Sequence, residues 1–368
     1  MGCGTSAILD SPQTDSLSVA RGRMKNKNSV DEFIHLDEEI SEMEGLCPGP
    51  RLATAEAWIE HLQEKRDALV LNTDLTQYNS AKDQTVTDST VVTVNQEFIN
   101  DSPSKDLTRL VINLGVLTDK HKASAQEDFF ANINKSALEV VSMRYYNEIL
   151  DHTKSRVKLL TENYRTLNEL YVQQDGIIAL ISGGTYMTSF EESLDSQLET
   201  ARDVRDKLGS TLEQWRICGL LLRACSKSAS QGLQFWKSIK ALRSPKDVIH
   251  LVLECRNNTQ ASLIALECAQ LSLPNVEIKF VSNRQVLAVK HINTYMITDI
   301  ADELRYNHVT KVLETYEENM QNASSWLYET YNSTLRKDFD KAESTVKTLS
   351  GKLRSHRHEL FIKETERK

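Results

Sequence analysis

No stretch of about eighteen uninterrupted apolar residues occurs in this 368-residue chain, so a membrane-crossing helix is not expected. The first twenty residues also lack the basic and apolar regions of a secretory signal. Only six prolines and thirteen glycines punctuate the sequence, which disfavours a turn-rich β architecture and favours long regular elements. The six cysteines, at 3, 47, 218, 225, 255 and 268, show no C-x-x-C spacing. Buried reduced thiols are therefore expected rather than a metal site or a disulfide framework. An excess of positive charge is missing too. The net charge of −8 argues against general nucleic-acid binding, which leaves a basic footprint.

Signatures of catalysis are equally scarce. Gly183-Gly184 is not followed by the Lys-Ser or Lys-Thr of a phosphate loop. No G-x-S-x-G elbow, H-E-x-x-H helix or kinase signature set occurs. Cys218 and Cys225, seven residues apart on one helix face, read as packed thiols, and His356 and His358 as part of a solvated basic helix end. Four N-x-[ST] matches, at Asn134, Asn257, Asn322 and Asn332, are expected to be inert without a route to the secretory lumen. No cofactor and no metal site is expected, and the favoured class is non-enzymatic.

What the chain does carry begins at Met1-Gly2-Cys3-Gly4-Thr5-Ser6, the pattern read by N-myristoylation. Cys3 beside Gly2 supplies a thiol for palmitoylation. A second signal matters because one myristoyl chain gives only marginal binding, on the order of 10⁴ M⁻¹. Arg21, Arg23, Lys25 and Lys27 follow with no acid between them. Beside an anionic leaflet such residues contribute about 1 kcal/mol each. The expected address is the cytoplasmic face of a membrane, foremost the plasma membrane, held by lipid anchoring.

Seven acids then lie between Asp31 and Glu44 with no Lys or Arg. Within that block Phe33, Ile34, Ile40 and Met43, preceded by Val30, approximate one helical face. Two readings stay open: a short docking helix that orders on a partner or on the body of the protein, or a solvated acidic linker. With the breaker Cys47-Pro-Gly-Pro50, residues 1–50 read as a disordered, acylated tail.

Residues 51–368 read as one all-α domain, an elongated antiparallel helical bundle or coiled-coil-like assembly. Thr54 to Leu71 is a first amphipathic helix, and 72–101 a polar loop with a β-prone stretch at Thr85–Val94. Ser102-Pro103 caps a helix through Leu117. A long helix is expected over about 124–173, with reversal at Gly183-Gly184. The next starts at a capping box, Ser189-Phe-Glu-Glu192, and its stripe runs from Leu194 to Ile239. Ser244-Pro245 opens another helix, Val276–Phe280 alternates like a strand, and Ser282-Asn-Arg-Gln285 begins a stripe reaching Leu327. A last helix holds Val346, Leu349 and Leu353. Lys347, Lys352, Arg354 and Arg357 beside them read first as a solvated face, and second as a contact for membrane, an acidic partner or the tail's own acidic block.

Taken together these features predict a peripheral membrane scaffold or adaptor. It would bind membrane lipids through its acylated N-terminus and proteins through helical surfaces, with a homodimer possible and no nucleic acid. Long helical pairs beside a membrane signal resemble, at the level of fold class, membrane-shaping helical dimers of the BAR type. That resemblance implies a lipid-binding or curvature module as the alternative. Such dimers present a strongly basic face, and the acidity of this chain counts against it. A third alternative is an enzyme whose site is assembled from distant helices.

Overall fold

A computed structural model describes residues 26–82 and 102–367. Among them the chain is all-α, with packed helices and no strand. The helices are α1 (Asn26–Glu44), α2 (Pro48–Lys82), α3 (Ser102–Leu114), α4 (Lys120–Ala125), α5 (Glu127–Ser182), α6 (Ser189–Ser238), α7 (Pro245–Ser272), α8 (Asn283–Asp299), α9 (Glu303–Thr330) and α10 (Arg336–Arg367).

Two compact units form. Of the described residues, the first gathers those from Asn26 to Pro48, those within Thr161–Asp206 and those from Asp340 onward; the second gathers those within Gly49–Leu160 and Lys207–Phe339. In the first unit four helical segments lie alongside one another. Paired residues give their directions: Gln174 meets Asp37, Arg354 also meets Asp37, and Glu191 meets Arg357. Further along, Arg202 and Arg205 meet Glu44. α1 and the start of α6 therefore run one way, and the end of α5 and α10 run the other. Val30, Phe33, Leu36, Ile177, Ile181 and Phe361 fill one core, with the Phe33 and Phe361 rings edge-to-face at 5.2 Å. Leu194, Leu198, Val346 and Leu353 fill a second.

The second unit packs the other helical segments around two larger cores. One contains Trp58, Tyr146, Leu222, Cys225, Ile264 and Tyr316. The other contains Val111, Phe130, Trp236, Ile249, Met296 and Val309. Trp236 stacks on Tyr306 at 4.9 Å, and its ring nitrogen donates to Thr310, satisfying the one polar atom that burial would strand.

Several boundaries differ from the sequence expectation, each for a local reason. Residues 26–44, placed in the tail, are helical and packed. The helix expected to end at Leu71 runs on to Lys82, so residues 72–82, expected in a loop, are helical; residues 83–101, with the β-prone stretch, lie outside the described residues. α5 absorbs the apolar Gly176–Ile181 run and ends at Ser182, where Gly183 (φ 71°) and Gly184 (φ 77°) adopt the left-handed conformation that glycine tolerates. The cap of α6 falls one residue earlier than the box at Ser189. Thr188 Oγ1 accepts from the Glu191 amide at 3.1 Å, and the Glu191 carboxylate accepts from the Met187 amide at 2.9 Å.

Val276–Phe280 is not a strand. Among the described residues no strand is present to take up its backbone groups, and Val276 N–H instead closes a turn onto the Leu273 carbonyl at 3.1 Å. The stripe from Val286 to Leu327 is broken at Ile300–Asp302, because Asp302 caps α9 by accepting from the Leu304 amide at 3.0 Å. Leu304, expected on the apolar face, is consequently 77% exposed. Between α9 and α10, Tyr331–Leu335 forms a wide π turn. There Asn332 and Thr334 side chains bond back to the Tyr328 and Thr330 carbonyls at 2.9 and 2.6 Å, the local competition that loosens α-helical hydrogen bonding.

Candidate functional site

Gly2, Cys3, Arg21, Arg23 and Lys25 lie outside the described residues, and Lys27 falls in the first turn of α1. The structure does describe the element to which that segment connects. α1 buries Phe33 and Ile40 against the first unit, with Ile34 and Met43 half-buried beside them; Val30 and Leu36 complete the face. Of the two readings of the acidic block, the structure presents the docked helix, and its docking ground is the protein's own body.

The acids on α1 are held at two levels. Asp37 accepts from Arg354 on α10 and from Gln174 on α5, the latter at 2.8 Å, while Glu38 lies 3.3 Å from the other side of the same guanidinium. The basic stretch of α10, read first as a solvated face, is thus partly spent on this acidic block. Arg357, from the same stretch, pairs with Glu191 at 2.8 Å and with Asp195 at 3.6 Å on α6.

The second level is a buried charge cluster at the last residue of α1. Glu44 is 3% exposed and accepts from Arg202 at 2.7 Å, from Arg205 at 3.2 Å and from the Tyr171 hydroxyl. Arg205, itself 4% exposed, also meets Asp206 at 2.9 Å, with Glu343 at 3.9 Å. Burial, the largest single effect, works against the charge on Arg202, yet Glu44, Tyr171 and Glu199 together outweigh it and hold the guanidinium above its ordinary pKa. Burial, reinforced by the same carboxylate, pushes the Tyr171 phenol far above its usual range. Arg202 and Tyr171 are consequently fixed in one charge state at physiological pH. The chain turns immediately afterwards, with Cys47 in a left-handed conformation (φ 46°). Gly45 approaches Glu343 so closely that an added Cβ would lie 2.7 Å from its carboxylate oxygen.

Such a cluster of mutually paired charges holds a helix. Elsewhere the buried polar groups follow the same pattern. Cys225, Ser262 and Tyr316 hydrogen-bond among themselves inside the second unit, with Ser262 3.1 Å from the sulfur and 3.0 Å from the phenol. Burial raises the Cys225 thiol to about 11, opposite to the depression that nucleophilic cysteines need. Arg256 is buried, donating to Asn134 at 2.9 Å and to Asn257, and burial, only partly offset by Glu254, lowers it to about 10. Among the described residues no group of three or more His, Cys, Asp or Glu is placed to hold a metal ion. No described helix is long and apolar enough to cross a membrane.

The second unit also carries a surface groove of about 330 Å³ between α6 and α9, lined by Trp215, Arg216, Arg223, Leu327, Tyr328 and Tyr331. Tyr331 is the first residue of the π turn, a feature often found at functional sites. Sequence periodicity placed Trp215 in the core and did not single out Tyr328 or Arg223. Their convergence depends on the pairing of two helices more than a hundred residues apart.

No protein-family model, curated protein or solved structure matches this chain.

Proposed function

We propose that this chain is a peripheral membrane protein, acylated at Gly2 and Cys3, whose helical units act as a non-enzymatic scaffold or adaptor. The observation that carries the reading is the Met-Gly-Cys-Gly-Thr-Ser opening followed by the basic residues Arg21, Arg23, Lys25 and Lys27. The docking of α1 supports it. A tether transmits position only if its far end is attached to something folded, and α1 is attached by an apolar face and by the Asp37 and Glu44 ion pairs.

The scaffold part rests on the groove of the second unit. Trp, Tyr and Arg are the residue types that dominate binding energy at protein interfaces, and Trp215, Arg223 and Tyr328 line one surface there. The mechanism is concentration: partners held by an anchored scaffold meet at an effective concentration far above their average in solution. Gly2→Ala removes the myristoylation acceptor and is expected to move the protein from the membrane fraction to the cytosol. A Gly2→Ala protein that fractionates like wild type sinks the reading.

A further inference from the structure

The longest uncharged run in the chain is Gly176–Phe190, fifteen residues bounded by Asp175 and Glu191, in a sequence of which 26% is charged. It comprises the end of α5, the reversal at Gly183-Gly184 and the start of α6. Half of its apolar side chains have an evident purpose, since Ile177 and Ile181 are buried and Ile178 and Met187 pack beside them. The rest do not. Leu180 is 58% exposed, Tyr186 49% and Phe190 58%, and the glycine turn between them has open space around both glycines.

This hairpin is firmly built. The Gly183 amide caps α5 by donating to the Ala179 carbonyl at 3.1 Å, and Thr185 Oγ1 donates to the Ser182 carbonyl at 3.3 Å. Tyr186 hydroxyl donates to Asp195 at 2.6 Å, and Thr188 lies 3.0 Å from His356, whose ring meets Phe190 edge-on at 5.0 Å. The exposed apolar groups are therefore presented on a rigid tip, unlike single surface residues on long solvated helices.

The hairpin's position says what the tip faces. α1 runs so that Val30 and Phe33, near its start, pack on Ile177, Ile181 and Phe361. Asn26, where the preceding twenty-five residues join, thus lies at the same end of the first unit as the hairpin. The only segment with an acylation pattern enters the fold beside the only long uncharged run. Of the acids that flank the hairpin, Glu191 and Asp195 are held by Arg357, while Asp175 and Glu192 stand exposed at its edges.

We propose that the α5–α6 hairpin is a second lipid contact, with Leu180, Tyr186 and Phe190 entering the interfacial layer of the bilayer that holds the acylated tail. The inference rests on the tether reading above and adds to it an orientation, with this end of the first unit facing the membrane. Leucine and aromatic side chains suit that layer, where apolar bodies are buried and a tyrosine hydroxyl stays wet. Two weak contacts in series also remedy the marginal hold of a single myristoyl chain.

The test uses full-length protein, myristoylated by co-expression with N-myristoyltransferase, carrying Cys3→Ser and Thr185→Cys. The other five cysteines are buried, so an environment-sensitive nitrobenzoxadiazole label reports from the hairpin alone. With vesicles of phosphatidylcholine and phosphatidylserine the emission is expected to shift to the blue and to become shielded from an aqueous quencher. Leu180→Ser with Phe190→Ser, both at exposed positions, is expected to weaken vesicle binding by about tenfold while leaving the thermal unfolding curve in place. Protein that sediments with vesicles while the label stays in water overturns the hairpin contact and leaves the tether standing. Protein that does not sediment at all overturns the hairpin contact, which should supply the second hold in the absence of Cys3; the tether reading, which includes Cys3, stands or falls on the Gly2→Ala fractionation. A blue shift that appears without vesicles as protein concentration rises assigns the tip to self-association and overturns the lipid contact.

Discussion

Arg205 and Glu44 face one another 3.2 Å apart, 4% and 3% exposed, so the last residue of α1 is neutralised inside the first unit rather than at its surface. Removing one partner of a buried pair leaves the other charge stranded, typically at 3–5 kcal/mol, roughly. Glu44 serves Arg202 and Tyr171 as well, but Arg205 keeps Asp206 and Arg202 keeps Glu199, so Glu44→Ala should fall in the lower part of that range. Glu44→Gln, which retains an acceptor for Tyr171, should cost less. The measurement is urea unfolding, with hydrogen exchange across α1. A Glu44→Ala protein as stable as wild type, with α1 amides equally protected, would show that the cluster does not fasten the helix.

Asp299 in the second unit gives a pH dependence of predictable sign. Burial, opposed by Arg305 and reinforced by Glu127, lifts its carboxyl from an ordinary 3.8 to about 6. Between those two values the folded state binds more protons than the unfolded one, so stability falls as pH rises through this window. Its ionised form is penalised in full above about pH 6, by roughly 3 kcal/mol at 1.36 kcal/mol per pH unit. Arg305, 3.4 Å from Asp299, keeps its 3.1 Å contact with Glu127 when Asp299 is neutral. Asp299→Asn should therefore flatten the stability profile between pH 4 and pH 6.5, roughly, and raise the midpoint at neutral pH. The check is denaturant unfolding of both proteins across that range; parallel profiles would rule out Asp299 as the group responsible.

How much of this was legible in the sequence follows from what period and spacing can encode. The all-α class, the long α5 and α6, the Gly183-Gly184 reversal and the cap at Ser282 are local signals, and the structure shows each of them. The break at Asp302 was hidden because Ile297, Ile300 and Leu304 keep helical spacing across it, while a single capping carboxylate decides the issue. Val276–Phe280 alternates with period two, but alternation makes a strand only when a partner strand exists. Phe33 and Ile40 were readable as one face of a helix. That Arg354, more than three hundred residues away, would bind Asp37 was only one of several readings of the basic stretch. The groove at Trp215 and Tyr328 arises from tertiary pairing, for which a single sequence carries no spacing rule.

The thiols supply a sharper contrast. Burial raises Cys218, Cys255 and Cys268 to about 12 and Cys225 to about 11. At pH 8 the thiolate is then about one part in a thousand or less, and the groups are also enclosed. Cys47 is buried as well, with its sulfur 3.8 Å from Asp206. Native, unpalmitoylated protein should give no more than one fast-reacting thiol with Ellman's reagent, assigned to Cys3, and six after denaturation. Cys3→Ser should abolish the fast phase. Two or more fast thiols in the native protein would contradict the packing of the unit that holds the extra one, the first for Cys47 and the second for the other four.

The groove between α6 and α9 separates anchoring from recruitment. Tyr328 is 65% exposed and Arg223 stands on the opposite wall, so Tyr328→Ala with Arg223→Glu alters the surface without opening a core. Surface changes of this kind usually move stability by less than about 0.5 kcal/mol, whereas truncating a central aromatic or arginine anchor costs about 2 kcal/mol or more of binding, roughly thirtyfold in affinity. Proximity labelling of wild type, Gly2→Ala and the groove variant discriminates the roles. Gly2→Ala should lose membrane neighbours as a class. The groove variant should remain in the membrane fraction and lose a restricted set of protein neighbours. If its labelled neighbours match those of wild type, partners dock elsewhere; if it leaves the membrane, the groove belongs to the anchoring machinery and not to recruitment.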